Sequence, residues 1–236
     1  MTVSSDRINK LLHLIGGSSY LEVGVQEGKT FHQVDATTKV AVDPKFLFDV
    51  HKAREGNSAC VYHEVTSDRY FQGLSGSDSF DLIFLDGLHR YEQTYRDFCN
   101  ATHALSGLKS IIIVDDTFPT DVFSSHRDNT MALKHRSEYG NAGPGWHGDV
   151  YKSMLLIAAF HPMYEYFTIT GKGQKSQTVL WRAPDSSRLH APRSSEFDAF
   201  ISNIALFDYL WLLDNIHVLN PVQTFADGLA LIALPD

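Results

Sequence analysis

Cysteine is nearly absent from this chain. Its 236 residues include only Cys60 and Cys99, far apart and outside any CxxC pattern. Neither a disulfide framework nor a thiolate metal centre is expected from them. Positive charge is also scarce: 20 Lys and Arg stand against 28 Asp and Glu, a formal net charge of -8. A grip on a phosphate backbone normally needs a basic surface, so nucleic acid is not an expected partner. No run reaches the ~20 apolar residues of a membrane span. The opening MTVSSDRINKLLHLIGG lacks the continuous apolar core and cleavage site of a signal peptide. It reads as a short amphipathic helix with Ile8, Leu11, Leu12 and Ile15 on one face. A soluble, cytoplasmic protein is the expectation. His126, His135, His161, His190 and His217 show no HxxxH or HExxH spacing, which argues against zinc. Internal repeats and low-complexity segments are lacking too.

What is present is a series of short apolar runs, most ending at a glycine, a proline or an acid: Ser19–Gly24, Lys39–Pro44, Ala59–Val65, Phe80–Gly87 and Ser110–Asp116. They are continuous rather than alternating, as strands covered on both faces are. Helix-compatible segments lie between them at Lys29–Thr37, Phe46–Glu55, Ser67–Leu74 and Tyr91–Leu105. Strand alternating with helix predicts a doubly wound, parallel α/β sheet. Thr117–Gly148 is polar and rich in histidine and glycine, and its length suits a lid or binding loop. A helix follows at Asp149–Phe160. Strands Tyr164–Gly171 and Ser176–Arg182, joined by GKGQK, predict an antiparallel final pair. Ala183–Ser195 reads as a linker into a helical stripe through Phe197, Phe200, Ile201, Ile204 and Leu206. Residues 1–183 are therefore taken as the main domain and 184–236 as a linker and C-terminal helical extension. The apolar face of that extension, Phe200, Ile204, Phe207, Leu210 and Trp211, is expected to pack on its own domain. A dimer contact or a wall of an acceptor pocket are its other uses.

In open α/β sheets ligands bind beyond the carboxyl ends of the strands, where these acids and glycines fall. LEVGVQEGKT runs a strand into Gly24-x-x-x-Gly28 and then into a predicted helix, whose free N–H groups could meet a ligand. Asp43 ends the next strand and can accept both hydroxyls of a ribose, although it could equally be a turn acid before Pro44. The pair suggests a nucleoside-containing cofactor. The departure from G-x-G-x-x-G favours one without a diphosphate. If the strands ending at Asp86 and Asp115 are neighbours, their ends lie about 5 Å apart. Asp86, Asp115 and Asp116 then crowd one spot, which suits a hard cation, magnesium before calcium or manganese. His89, just past Asp86, is placed to receive a proton. Each residue also has a structural use: a turn cap for Asp115, solvation for Asp116, a helix cap for His89.

These stretches resemble the class I S-adenosylmethionine-dependent methyltransferases. More narrowly, they resemble the metal-dependent macrocin and mycinamicin sugar O-methyltransferases. The matching residues are EVGVQEGKT (Glu22–Thr30), VAVDP (Val40–Pro44), LDGLHRYEQTYRDF (Leu85–Phe98), VDDT (Val114–Thr117) and WHGDVYK (Trp146–Lys152). The resemblance implies a seven-stranded, mostly parallel Rossmann-like sheet with an antiparallel final strand, a lid insertion and a C-terminal helical extension. It places Glu22, Gly24 and Gly28 along the amino acid portion of S-adenosylmethionine, Asp43 at the ribose, and Ser67 and Asp68 at the adenine. Asp86 borders the cofactor and, with Asp115 and Asp116, matches the magnesium ligands. His89 matches the general base. Trp146, His147 and Asp149 lie near the hinge of the candidate lid, where Trp146 could instead be a core anchor and His147 solvated. The implied acceptor is a small hydroxylated molecule, a natural-product sugar before a catechol-like diol, and a homo-oligomer is possible. A catalytically silent cofactor-binding protein and a metal-dependent hydrolase are the alternatives. The hydrolase leaves the glycine loop and Asp43 unexplained.

Overall fold

The computed structural model describes residues 1–56, 59–76, 78–140, 145–184 and 202–234. The apolar runs become β1 (Ser19–Val23), β2 (Thr38–Asp43), β3 (Cys60–Glu64), β4 (Leu82–Leu85) and β5 (Ile111–Asp115). β4 and β5 are buried along their whole length. Their branched and aromatic side chains leave nowhere for the strand to sit except between two covered faces. β6 (Tyr164–Ile169) and β7 (Gln177–Arg182) form the predicted hairpin. The sheet order is β3-β2-β1-β4-β5-β7-β6-β8, with β8 at Pro221–Val222, and β7 runs against its neighbours.

The helices are α1 (Val3–Ile15), α2 (Val50–Gly56), α3 (Ser67–Gln72), α4 (Tyr91–His103), α5 (Asn129–Glu138), α6 (Tyr151–Phe160), α7 (Tyr209–Asp214) and α8 (Phe225–Leu229). Thr2 caps α1 by accepting from the Ser5 N–H at 3.0 Å, and Gly16 ends it in the left-handed region at φ 65°. One core packs Ile8, Leu11 and Leu12 of α1 with Phe84 and Ile113 on one sheet face. The other packs Phe98 of α4 and Met154 and Ile157 of α6 with Ile83 and Ile112 on the opposite face. Among the described residues no helix is long and apolar enough to cross a membrane.

Three expectations change. The sheet has eight strands, not seven. Asn220 turns the chain at φ 45°, and Pro221 and Val222 then pair with Thr168 and Ile169 of β6. That pairing covers backbone groups which an edge strand would leave open. The helix expected over Lys29–Thr37 shrinks to a single 3-10 turn at Phe31–Gln33. Phe31 is fully buried there, and the Lys39 ammonium donates to the carbonyls of Phe31 and Val34, both at 2.9 Å. Those bonds tie the loop in an irregular path that a helix could not follow. The C-terminal stripe is broken as well. Asp208 accepts from the Trp211 N–H at 2.8 Å and starts a new helix, α7, after a 3-10 turn at Ile204–Leu206. Phe197, Phe200 and Ile201 lie outside the described residues, as does the linker beyond Pro184. The described part of the extension does pack on its own domain. Ile204, Leu212 and Leu219 are buried, and Phe207 stacks on Trp211 at 4.0 Å, while Leu206 and Leu210 stay exposed.

Leu212 is fully buried among residues of the second core. Leu212→Ala should lower the unfolding free energy of the whole protein by about 2–5 kcal/mol, read as a shifted denaturant midpoint. An unchanged midpoint would mean the extension does not share the main core.

Candidate active site

The site begins with strand register. β1 and β4 are adjacent, with β2 and β3 beyond one and β5 beyond the other, so a crevice opens at their carboxyl ends. Leu85 pairs with Val114, which brings Asp86 alongside Asp115. Asp116 then adopts φ 57°, the left-handed turn that aspartate tolerates better than most residues. That turn breaks the alternation which would send adjacent acids to opposite faces. Gly24, at φ 88°, lets β1 leave the sheet against β4. A Cβ there would stand 1.9 Å from the Asp86 carbonyl oxygen.

Two adjoining cavities share Gly24, Gln26 and Asp86. The first, of about 360 Å³, is lined by Asp43, Ser67, Asp68, Asp86 and Gln93 among others. One Asp43 oxygen accepts from the Val25 and Gln26 N–H groups, both at 2.9 Å, and the other accepts from Lys45 at 2.8 Å. Asp43 thereby pins the β1 loop while facing the cleft. At the far end Gln93 donates to Ser67 (3.1 Å), Asp68 (3.2 Å) and Asp97 (2.9 Å). Burial pushes the Asp97 carboxyl up to about 6.

The second cavity, of about 270 Å³, is the acidic end. Glu22, Asp86, His89, Asp115, Asp116 and Lys175 line it. His89 Nε2 lies 3.8 Å from Asp86 and 3.4 Å from Asp116, and donor atoms of the three residues fall within 4.8 Å of one another. His89 Nδ1–H donates to the Trp146 carbonyl at 2.9 Å, and the two rings stack at 4.8 Å. This bond fixes the tautomer and leaves the Nε2 lone pair facing the acids. His147 Nε2 approaches Asp116 from the other side at 3.4 Å. Burial, then the charge of Asp115, holds the carboxyls of Asp86 and Asp116 well above their ordinary range. Burial pushes Glu22 up to about 8, although it accepts from the Tyr20 hydroxyl at 2.5 Å. It lowers both histidines, His147 to about 4. Burial also pulls at the Lys175 ammonium, but Asp115 and Asp86 hold it above its usual value.

Residues 21–117 match the family model of a methyltransferase domain. The chain is similar to the structure of an O-methyltransferase from Bacillus cereus in complex with SAH, at 15% identity over 78% of this chain and 82% of that one, with a TM-score of 0.55. It is also similar to a Klebsiella pneumoniae protein assigned as an O-methyltransferase (16% identity, 77% and 81% covered, TM-score 0.52). A Staphylococcus aureus protein assigned as a caffeoyl-CoA O-methyltransferase gives 15% identity, 78% and 84% coverage and a TM-score of 0.52. The fold is the Rossmann-like methyltransferase fold. None of the curated proteins compared with the chain matches it.

On this methyltransferase fold most of the expected residues converge. Gly24, Asp43, Ser67, Asp68 and Asp86 line one cavity, and Glu22, Asp86, His89, Asp115 and Asp116 line the other. Gly28 lines neither; at φ 73° it turns the loop against His32. Asp149 also stands away from the acids. It is buried, accepts from the Tyr91 N–H at the start of α4 at 3.1 Å, and pairs with Arg127 at 2.9 Å. Trp146 and His147 do reach His89 and Asp116. The candidate lid holds α5, started by Asp128, whose side chain accepts from the Met131 N–H. The sequence reading missed Lys175 and Gln93. Gln93 had a signal, since it lies one turn before Asp97 on α4. Lys175 had none, because only the β5–β7 pairing brings its hairpin to Asp115.

A carboxyl raised in the folded state contributes stability below its unfolded value of 4.5 and loses that contribution as pH rises through about 8. The contribution of Glu22 therefore falls from pH 5 to pH 8, so the stability of Glu22→Gln should rise relative to wild type across this range, read from denaturant midpoints. Parallel profiles would contradict the assignment of Glu22.

Proposed function

We propose that the chain is an S-adenosylmethionine-dependent, divalent-metal-assisted O-methyltransferase acting on a hydroxyl of a small molecule, with a natural-product sugar as the favoured acceptor. The carrying observation is that the two cavities share Gly24, Gln26 and Asp86: a cleft with a ribose-type acid lies beside a cluster of acids and one histidine. The cleft fits a nucleoside. Asp43 lines it at one end, and Ser67, Asp68 and Gln93 supply polar groups at its far end. The acid cluster fits a hard cation, because the raised carboxyls of Asp86 and Asp116 mark a place short of positive charge. The SAH complex of the Bacillus cereus neighbour supports the same cofactor class.

When bound, S-adenosylmethionine supplies an electrophilic methyl group, and a divalent cation supplies charge that acidifies a hydroxyl. The chain supplies the rest. Asp86 and Asp116 would hold the cation. His89 Nε2, beside both acids, takes up the hydroxyl proton. The Trp146 carbonyl, hydrogen-bonded to Nδ1–H, steadies the imidazolium that forms. Trp146 stacks over the His89 ring, and His147 closes on Asp116 beside it. Gly148 permits this closure, since a Cβ there would stand 2.0 Å from the His89 carbonyl oxygen. Positioning is the main contribution to rate.

Calorimetric titration of S-adenosylhomocysteine, with and without magnesium, tests the cofactor reading; no heat of binding in either condition would sink it. His89→Ala should keep S-adenosylhomocysteine affinity and lower kcat by about 10²–10⁴-fold on an accepted substrate. Unchanged turnover would remove His89 as the base.

A further inference from the structure

Five acids line the acidic cavity, Glu22, Glu27, Asp86, Asp115 and Asp116, and among the residues lining it only Lys175 and Lys29 are lysines or arginines. Lys29 is mostly exposed and pairs with Glu27. Lys175 comes from the β6–β7 hairpin and is tied down from several sides. Its ammonium pairs with Asp115 and donates to Ser4 Oγ at 2.9 Å. Its carbonyl accepts from Arg7 at 2.8 Å, and Arg7 also donates to Gln177 Oε1 at 2.8 Å. Gln177 in turn donates to the same Ser4 hydroxyl at 2.9 Å. Both Asp115 oxygens are engaged: one faces Lys175 and the other accepts from the Asp116 N–H at 3.1 Å, and the carboxyl also meets that of Asp86. The donor atoms that do converge belong to Asp86, His89 and Asp116.

Building on the metal-assisted reading above, we propose that Lys175 is a positioning residue that withdraws Asp115 from the cation's ligands. The ion is then held by two aspartates, Asp86 and Asp116, rather than by the three acids at these strand ends. Two protein carboxylates leave about four positions of an octahedral ion for water and the acceptor's oxygens. A third would close one of them and add negative charge. The Lys175–Asp115 pair contributes no net charge, so its role is to keep the site open and its affinity moderate.

The test is Mn²⁺ affinity, read from the electron paramagnetic resonance of free Mn²⁺ without acceptor or turnover. Lys175→Met frees Asp115 and removes a repelling charge, so Mn²⁺ should bind about tenfold more tightly. Lys175→Met/Asp115→Asn removes the pair together, leaves no uncompensated charge, and should bind within about threefold of wild type. Asp116→Asn should weaken binding by at least about tenfold. A double variant that loses as much as Asp116→Asn makes Asp115 a ligand and overturns the proposal, as does a Lys175→Met protein that binds no tighter. Wild-type protein that binds no Mn²⁺ defeats the proposal together with the metal-assisted reading, an outcome distinct from the other two.

Discussion

Crowding of negative charge at the carboxyl ends of β4 and β5 is the constraint around which this molecule is arranged. Adjacent parallel strands place Asp86 beside Asp115, and the turn at Asp116 adds a third carboxylate. Glu22 from β1 lines the same cavity. Like charges at this range, partly withdrawn from water, cannot all stay ionised without a counter-charge. The chain answers in part. Lys175 pairs with Asp115, and the Tyr20 hydroxyl donates to Glu22. Asp86 and Asp116 remain raised, a charge imbalance that the proposed cation would relieve. A core built for stability alone would have put apolar side chains here.

The surrounding structure serves to keep these acids where they repel. α1 packs across one sheet face and sends Ser4 and Arg7 to the hairpin that carries Lys175. Asp43 binds the β1 loop through two backbone N–H groups, which opens the nucleoside-sized cleft next to Asp86. Arg127 bridges Glu92 and Asp149, and Asp149 receives the first N–H of α4. One side chain therefore links the 117–148 segment to the helix that follows His89. Movement of that segment would act on the Trp146 carbonyl, and through it on the orientation of the histidine.

Much of this was legible in the sequence, for a physical reason. A buried parallel strand must be apolar along its length, so β4 and β5 announce themselves, and a polar residue at the end marks where the sheet meets solvent. Asp43, Asp86, Asp115 and Asp116 stand out in that way, with His89 just beyond, whereas Ser67 was placed by the family resemblance alone. Side chains that act across a long sequence separation were not. Lys175 reaches Asp115 only through antiparallel pairing of β5 with β7. Asp149, expected near the site, caps a helix from 58 residues away, which no local pattern records. The lost helix at Lys29–Thr37 has a similar origin, since Lys39 ties the Phe31 and Val34 carbonyls from a neighbouring strand. β8 was hidden because a two-residue strand carries no periodicity of its own.

Anomalous scattering from crystals grown with Mn²⁺ and S-adenosylhomocysteine tests the central claim most directly. A single strong peak bounded by Asp86 and Asp116, beside His89 Nε2 and clear of Asp115, is the predicted result. Absence of a peak at these strand ends, with S-adenosylhomocysteine bound in the adjoining cleft, would contradict it.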